Sequence, residues 1–287
     1  MGHFQHKRCL VTGAASGIGR ALAEQLGAAG AVLILTDVQQ QALADTVAAL
    51  RAEGVQVALA QPLDISDAGA VQQLADAAHA EGGALDMLFN VAGISIWGEV
   101  GEIPLAMWRQ LLDINLMGPV HVLHSFLPAM IARGSGGQIV NVSSAAGLFG
   151  LPWHAAYSAT KFGLRGISEV LRYDLQQHGI GVSLVCPGGV DTGLVRTLRI
   201  VGVDRDHPEV IALTQRFQRH AVTPAVAAAR ILRGVRRKRF WIYTSADVRF
   251  GFWVQRKWAW PYQVAMGLLN RYISRRAAPA RHPPLES

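Results

Sequence analysis

Cysteine is nearly absent from this chain of 287 residues: Cys9 and Cys186 lie far apart and in no Cys-x-x-Cys spacing. That excludes a disulfide framework and a cysteine-ligated zinc site, and it points to a reducing compartment. No cluster of His, Cys and carboxylate residues has metal-ligand spacing, so no metal is expected. Charge is also sparse, at 16% of residues against 51% hydrophobic, which excludes disorder for most of the length. The start, MGHFQHKRCLVTG, offers no apolar signal segment with a cleavage site, so a cytoplasmic rather than secreted protein is expected. The longest apolar uncharged window, from Ile114 to Ala132, approaches a membrane-spanning length. It holds Gly118, Pro119, His121, His124 and Pro128, which suit a buried domain helix better. Carboxylates become scarce beyond Arg196, and the net charge of +7 gathers there, with RRKR at 236–239 and RR at 275–276.

What the chain does contain is an alternation of short β-branched or Leu-rich runs with Ala-rich helical patterns, the signature of βαβ units. Strands are expected at 8–12, 31–37, 55–61, 86–90, 138–143, 181–186 and 240–244. Helices are expected near 17–29, 39–53, 67–81, 104–132, 155–178 and 224–237. The fold class is therefore α/β: a Rossmann-type, doubly wound parallel sheet of about seven strands with helices on both faces. One domain over 1–244, with a substrate loop near 193–223, is followed by a C-terminal extension over 245–287.

The first strand runs into TGAASGIG at 12–19 and then a helix start. Gly13, Ser16, Gly17, Ile18 and Gly19 thus form a turn through which a backbone can approach a pyrophosphate, with the helix N-terminus meeting its charge. Asp37 follows 18 residues after Gly19, at the end of the second strand. A carboxylate there accepts ribose hydroxyls and repels a 2′-phosphate, and Val38 supplies no cation to offset that repulsion. The pattern predicts NAD rather than NADP, with Arg20 beside the loop expected to point to solvent.

Further motifs follow in order: Asp64 in LDISD, NVAG at 90–93, Asn115 in DINLMG, Ser143-Ser144, YSATK at 157–161 and PGGVDT at 187–192. Together they resemble the short-chain dehydrogenase/reductase family over most of 8–192, with Val91 where the family often has a second asparagine. The resemblance implies that Asp64 and Ile65 border the adenine, and that Asn90 and Gly93 shape the cofactor floor. It also implies that Pro187, Gly188, Val190 and Thr192 bind the cofactor, Val190 and Thr192 holding the nicotinamide carboxamide. It further implies a homo-dimer or homo-tetramer. Residues i and i+4 share a helix face, so Tyr157 and Lys161 project together toward the cofactor. Free tyrosine, with a pKa of about 10, is too weak an acid to serve as a neutral-pH base. A nearby ammonium and a nicotinium favour the phenolate, and roughly 3 to 4 kcal/mol of differential stabilisation would suffice. Ser144, 13 residues before Tyr157, can hold the substrate oxygen, and Asn115 would order a water that links Lys161 to solvent. Tyr157 is then the general acid/base of an alcohol–ketone interconversion.

Substrate contacts are expected from Ser144, Trp153, His154, Tyr157 and Leu194, in a pocket whose loops also carry Ile96, Trp97, Leu148, Phe149, Leu151 and Leu198. That apolar content suggests a bulky lipophilic secondary alcohol or ketone. The alternatives are an NADPH-dependent 3-oxoacyl reductase and a non-catalytic NAD-binding sensor or scaffold. In the extension, tryptophans at 253, 258 and 260 and tyrosines at 262 and 272 lie among Arg249, Arg256, Lys257 and Arg271. Three readings suit 245–276: a cover over the pocket or a dimer partner, a peripheral membrane contact, or nucleic acid, for which no motif is present.

Overall fold

The computed structural model describes residues 2–191, 198–204, 206–218 and 221–281. Its centre is a sheet of seven strands, all paired in parallel. They are β1 (Arg8–Thr12), β2 (Val32–Asp37), β3 (Val57–Pro62), β4 (Met87–Asn90), β6 (Gly137–Val142), β7 (Ile180–Cys186) and β9 (Trp241–Tyr243), in the order β3-β2-β1-β4-β6-β7-β9. Each side chain faces opposite to the next, and both faces are covered, so the strands read as continuous apolar runs. Cys9, Val11, Leu33 and Leu35 pack with Leu22 and Leu26 of α1 (Gly17–Ala28), Leu43 of α2 (Gln40–Ala52) and Ile231 of α8 (Pro224–Arg236). Leu10, Ile34, Leu88 and Ile139 point the other way, onto Leu74 of α3 (Ala68–Gly82) and Phe126 and Met130 of α5 (Gly118–Arg133).

Chain order reverses between β1 and β4, and a crevice opens beyond the carboxyl ends of the strands at that switch. A two-stranded parallel ribbon, β5 (Ile96–Trp97) with β8 (Arg199–Ile200), borders it and was not expected from so short a pattern.

The helix expected over 104–132 is interrupted. It begins as α4 (Leu105–Leu112), passes through a π-helical turn at Asp113–Met117 and resumes as α5. Pro119, four residues beyond Asn115, has no N–H to give to the Asn115 carbonyl, so a regular α-helical ladder cannot close there. This is the one helical run among the described residues long and apolar enough, by length and composition, to cross a membrane. Here its second half packs on α3 and the sheet.

Beyond α6 (Ala155–Asp174) and the short α7 (Pro208–Gln218), the C-terminal extension forms two helices, α9 (Ala246–Lys257) and α10 (Ala259–Ala277). Val248 and Phe252 of α9 are buried against Phe149, and Ile273 and Ala277 anchor the far end of α10.

Candidate active site

A cavity of about 1070 Å³ runs from the glycine loop to the C-terminal helices. Its cofactor end is built by close backbone approach. Thr12 Oγ1 accepts from the N–H groups of Val91 and Ala92, at 2.9 and 3.1 Å, tying β1 to the chain leaving β4. Gly13 has φ +69°, and a β-carbon there would lie 2.9 Å from Ala92 Cα. One at Gly19 would lie 2.0 Å from the Gly13 carbonyl oxygen. Both positions exclude any side chain, and so bring the first turn of α1 onto the strand end. Ser16 is the N-cap of that helix, yet its hydroxyl makes no cap bond. Gly13, Ser16, Gly17, Ile18 and Gly19 all line the cavity, presenting an open helix N-terminus suited to a diphosphate. The cradle therefore fits a dinucleotide.

Asp37 closes this end. It is 7% exposed, its Oδ2 accepts from Ala15 N at 2.9 Å and its Oδ1 from Gln39 N at 2.9 Å. Arg20 is engaged elsewhere, Nε lying 2.9 Å from Glu24 Oε1 on the same helix. Among the described lining residues Lys161 is the only lysine or arginine, and it sits at the opposite, reactive end. Asp64 lines the cavity and accepts from the N–H and hydroxyl of Ser66, with Ile65 buried beside it. Gly93, Pro187, Gly188 and Val190 line it as well. Asn90 lies beneath the lining rather than on it: its Nδ2 donates to Asn141 Oδ1 at 2.9 Å, and Asn141 Nδ2 to Ser168 Oγ at 2.9 Å. Asn90 thus clamps β4 to β6 under the floor. Thr192 and Leu194 lie outside the described residues.

At the reactive end, the two serines of Ser143-Ser144 divide their work. Ser143 Oγ donates to the Lys161 carbonyl at 3.0 Å, and Lys161 Nζ donates to the Val142 carbonyl at 3.1 Å, so α6 is pinned to the end of β6 from both directions. Ser144 faces the cavity, and its hydroxyl accepts from Ala146 N and bonds Tyr157. Lys161 Nζ lies 5.7 Å from the Tyr157 ring centre. The Asn115 amide is fixed by paired bonds, accepting from Ile94 N and donating to the Ile94 carbonyl, each at 2.8 Å.

In the protein alone, without the nicotinium, the proximity of Lys161 does not bring the pKa of Tyr157 down. Burial raises the phenol to about 12, against the smaller opposing effect of the Ser144 hydrogen bond. Burial also lowers Lys161 to about 8, weakening the very cation that was expected to act.

His154 lies on the cavity wall, its ring 4.2 Å from that of Trp97 and 6.3 Å from that of Tyr157. Burial lowers its pKa to about 4, so it is neutral at physiological pH. Nδ1 lies 2.6 Å from the Pro152 carbonyl, which only accepts, so Nδ1 carries the proton and Nε2 is left as an acceptor. Trp153 departs from its expected substrate role. With φ +65° its side chain turns away from the cavity and packs among Ile200, Val203, Val210, Ala277 and Ala280. Ile96 and Leu148 are core residues, whereas Trp97, Phe149, Leu151 and Leu198 do line the cavity.

The far wall is the extension, one of whose expected roles was a cover over the pocket, although the sequence reading named no residue of it as lining the cavity. Phe250, Val254, Tyr262, Met266, Leu269 and Ile273 come from the extension, and Tyr262 Oη accepts from Gly150 N at 2.9 Å. The repeat of apolar residues at 262, 266, 269 and 273 was the available signal for an inward helix face.

A glycine-loop cradle at the switch point of a parallel sheet, joined to a Ser–Tyr–Lys cluster, defines an oxidoreductase of the dinucleotide-binding class. Comparison with known proteins agrees. The family model for short chain dehydrogenases matches residues 7–200. A 1-deoxy-11-beta-hydroxypentalenate dehydrogenase of Streptomyces exfoliatus is 38% identical over 200 residues, covering 68% of this chain and 72% of that one. The enzyme of that name in Streptomyces avermitilis is 33% identical over 251 residues, covering 86% and 87%. A solved short chain dehydrogenase/reductase of Burkholderia phymatum, in complex with NAD, superposes with a TM-score of 0.79 at 30% identity over all of both chains. The chain belongs to the short-chain dehydrogenase/reductase family and is an oxidoreductase acting on hydroxyl groups.

Proposed function

We propose that the protein interconverts a bulky lipophilic secondary alcohol and its ketone with NAD. The observation that carries this is the placing of Ser144, Tyr157 and Lys161 where the cofactor cradle opens into an apolar chamber walled by Phe149, Leu151, Met266, Leu269 and Ile273. The related Streptomyces dehydrogenases, whose names give a hydroxypentalenate as substrate, support the same class. The glycine loop and the α1 N-terminus would hold the diphosphate, Asp37 the adenosine ribose, Asp64 and Ile65 the adenine, and Pro187, Gly188 and Val190 the nicotinamide. When bound, the cofactor supplies the two-electron acceptor for the carbinol carbon.

Tyr157 takes the hydroxyl proton in oxidation and returns it in reduction. Burial holds its pKa up at about 12 in the protein alone, and a bound nicotinium together with the Lys161 ammonium would favour the phenolate. Ser144 holds the substrate oxygen in place through its hydroxyl. Lys161 shares its charge with the phenolate, and Asn115, at the π-helical turn, would order the water that passes the proton outward. Preference for NAD over NADP rests on Asp37 and on Val38, which is 65% exposed at the same rim. A homo-oligomer is supported by the family and by exposed Leu105, Phe162, Val170 and Tyr173 on α4 and α6.

The test is NADH formation over secondary alcohols of increasing apolar size, with NADP in parallel and Tyr157→Phe as the blank. Turnover with NAD that grows with apolar size and vanishes in the blank is the expected result. A preference for NADPH and 3-oxoacyl substrates would replace the proposal, and NADH binding without turnover on any alcohol would return it to a binding protein.

A further inference from the structure

Helix α10 has two unlike faces. Tyr262, Met266, Leu269 and Ile273 recur at i, i+4, i+7 and i+11 and line the cavity. On the opposite side Trp260, Val264, Leu268, Arg271 and Arg275 form a second stripe at the same kind of spacing, and all are exposed. Trp260 is 73% exposed and Leu268 59%. Helix α9 continues this surface: Phe250 stacks on Trp253 at 6.0 Å, and Trp253 meets Trp258 edge-on at 5.1 Å, all three exposed. Arg249, Arg256 and Lys257 lie among them, exposed on the same side of α9. Between residues 245 and 281 there are seven basic side chains and one carboxylate, Asp247.

We propose that the outer face of α9 and α10 docks on an anionic lipid bilayer, with the cavity mouth held at the membrane surface. Tryptophan rings are favoured at headgroup depth, where the indole is half in and half out of the apolar layer, and the flanking cations meet the lipid phosphates. An oligomer interface of the same area would be expected to be depleted in charge at its centre, whereas here cations are interleaved with the rings. The surface is also continuous with the chamber. Phe250, Pro261 and Ala265 are exposed and also line the cavity, and the half-buried Val254 lines it beside them. A ligand dissolved in the bilayer would therefore enter without crossing water. That last consequence rests on the lipophilic-substrate reading, but the docking does not.

The experiment is sedimentation of the full chain with vesicles of phosphatidylcholine alone or mixed with phosphatidylglycerol, read by pelleted protein and by tryptophan emission. Partition should require phosphatidylglycerol, weaken with salt and shift the emission to the blue. Trp258→Ala with Trp260→Ala and Leu268→Ala should reduce partition roughly tenfold or more while leaving NADH affinity unchanged, which certifies the fold. Arg256→Gln with Lys257→Gln should reduce it roughly thirtyfold. Three results would overturn the proposal: no partition at low salt, partition equal in wild type and the triple variant, or a wild-type dimer that the triple variant turns into a monomer. Partition without turnover on lipophilic alcohols would retain the docking and sink the substrate class.

Discussion

Lys161 is buried where its ammonium has one carbonyl partner, that of Val142, and the fold as a whole favours its neutral form. Its pKa of about 8 lies below the ordinary 10.5, so between those values the unfolded chain binds a proton that the folded chain does not. Stability should accordingly rise with pH through that window, and below pH 8 the full penalty is present, on the order of 3 kcal/mol. Lys161→Met should then raise the denaturation midpoint at neutral pH and flatten the rise between pH 8 and 10, while abolishing turnover. Tyr157 moves in the opposite sense and only above pH 10, where the folded state holds the phenol proton longer, so Tyr157→Phe should leave the slope between pH 8 and 10 intact. Denaturant titrations at three pH values distinguish the two. At the other end of the cavity, Asp37→Ser with Val38→Arg removes the like charge and adds a cation. The ratio of kcat/KM for NADP to that for NAD should rise by at least about a hundredfold, roughly 3 kcal/mol. Serine keeps an acceptor for one of the two N–H groups that Asp37 now serves. An unchanged ratio would mean that Asp37 orders the loop without reading the ribose.

The π-helical turn makes its own demand at the scale of elements. Pro119 denies the Asn115 carbonyl its helical donor, while paired bonds to Ile94 hold the amide in place. Pro119→Ala restores the N–H and lets the ladder close, which should maintain or raise thermal stability. If Asn115 at this turn orders a relaying water, kcat should fall severalfold to about tenfold with NADH affinity unchanged, and single-turnover kinetics would place the loss in the proton-transfer step. A kcat equal to wild type would remove Asn115 from the relay. This turn also marks where reading the sequence stopped. The strands, their parallel order and the glycine loop were legible because each depends on local spacing: the period of the apolar runs, Gly13 and Gly19, Asp37 at a strand end. The break in 104–132 was not read, although Pro119 stood in view, since apolar periodicity alone runs through it. Trp153 packs in a cluster off the cavity lining, and its positive φ, uncommon at a non-glycine residue, is a feature that no local pattern announces. Asn90 was placed on the floor by resemblance, and what it does beneath the floor depends on Asn141 and Ser168, far along the chain.

Across the whole molecule, the two ends of the cavity have different origins. The cofactor half comes from the first 190 residues, whose elements are bound into one sheet and leave little freedom to vary. The substrate half is closed by helices that follow the last strand, held through Tyr262 to Gly150, through Phe252 against Phe149 and Trp241, and by Arg165 stacked 5.3 Å from both the Phe252 and the Trp241 ring. Such an arrangement lets substrate range change without touching the dinucleotide cradle, and it can be tested on the inner face of α10. Met266→Trp adds bulk to that wall at a position remote from the glycine loop. For a bulky alcohol, KM should rise about tenfold or more as the ring takes the volume the substrate needs. For a short-chain secondary alcohol, kcat/KM should be unchanged or higher, and the Kd for NADH should not move. If both alcohols suffer equally, the extension acts on the site through general stability, and the chamber it walls is not where substrate size is read.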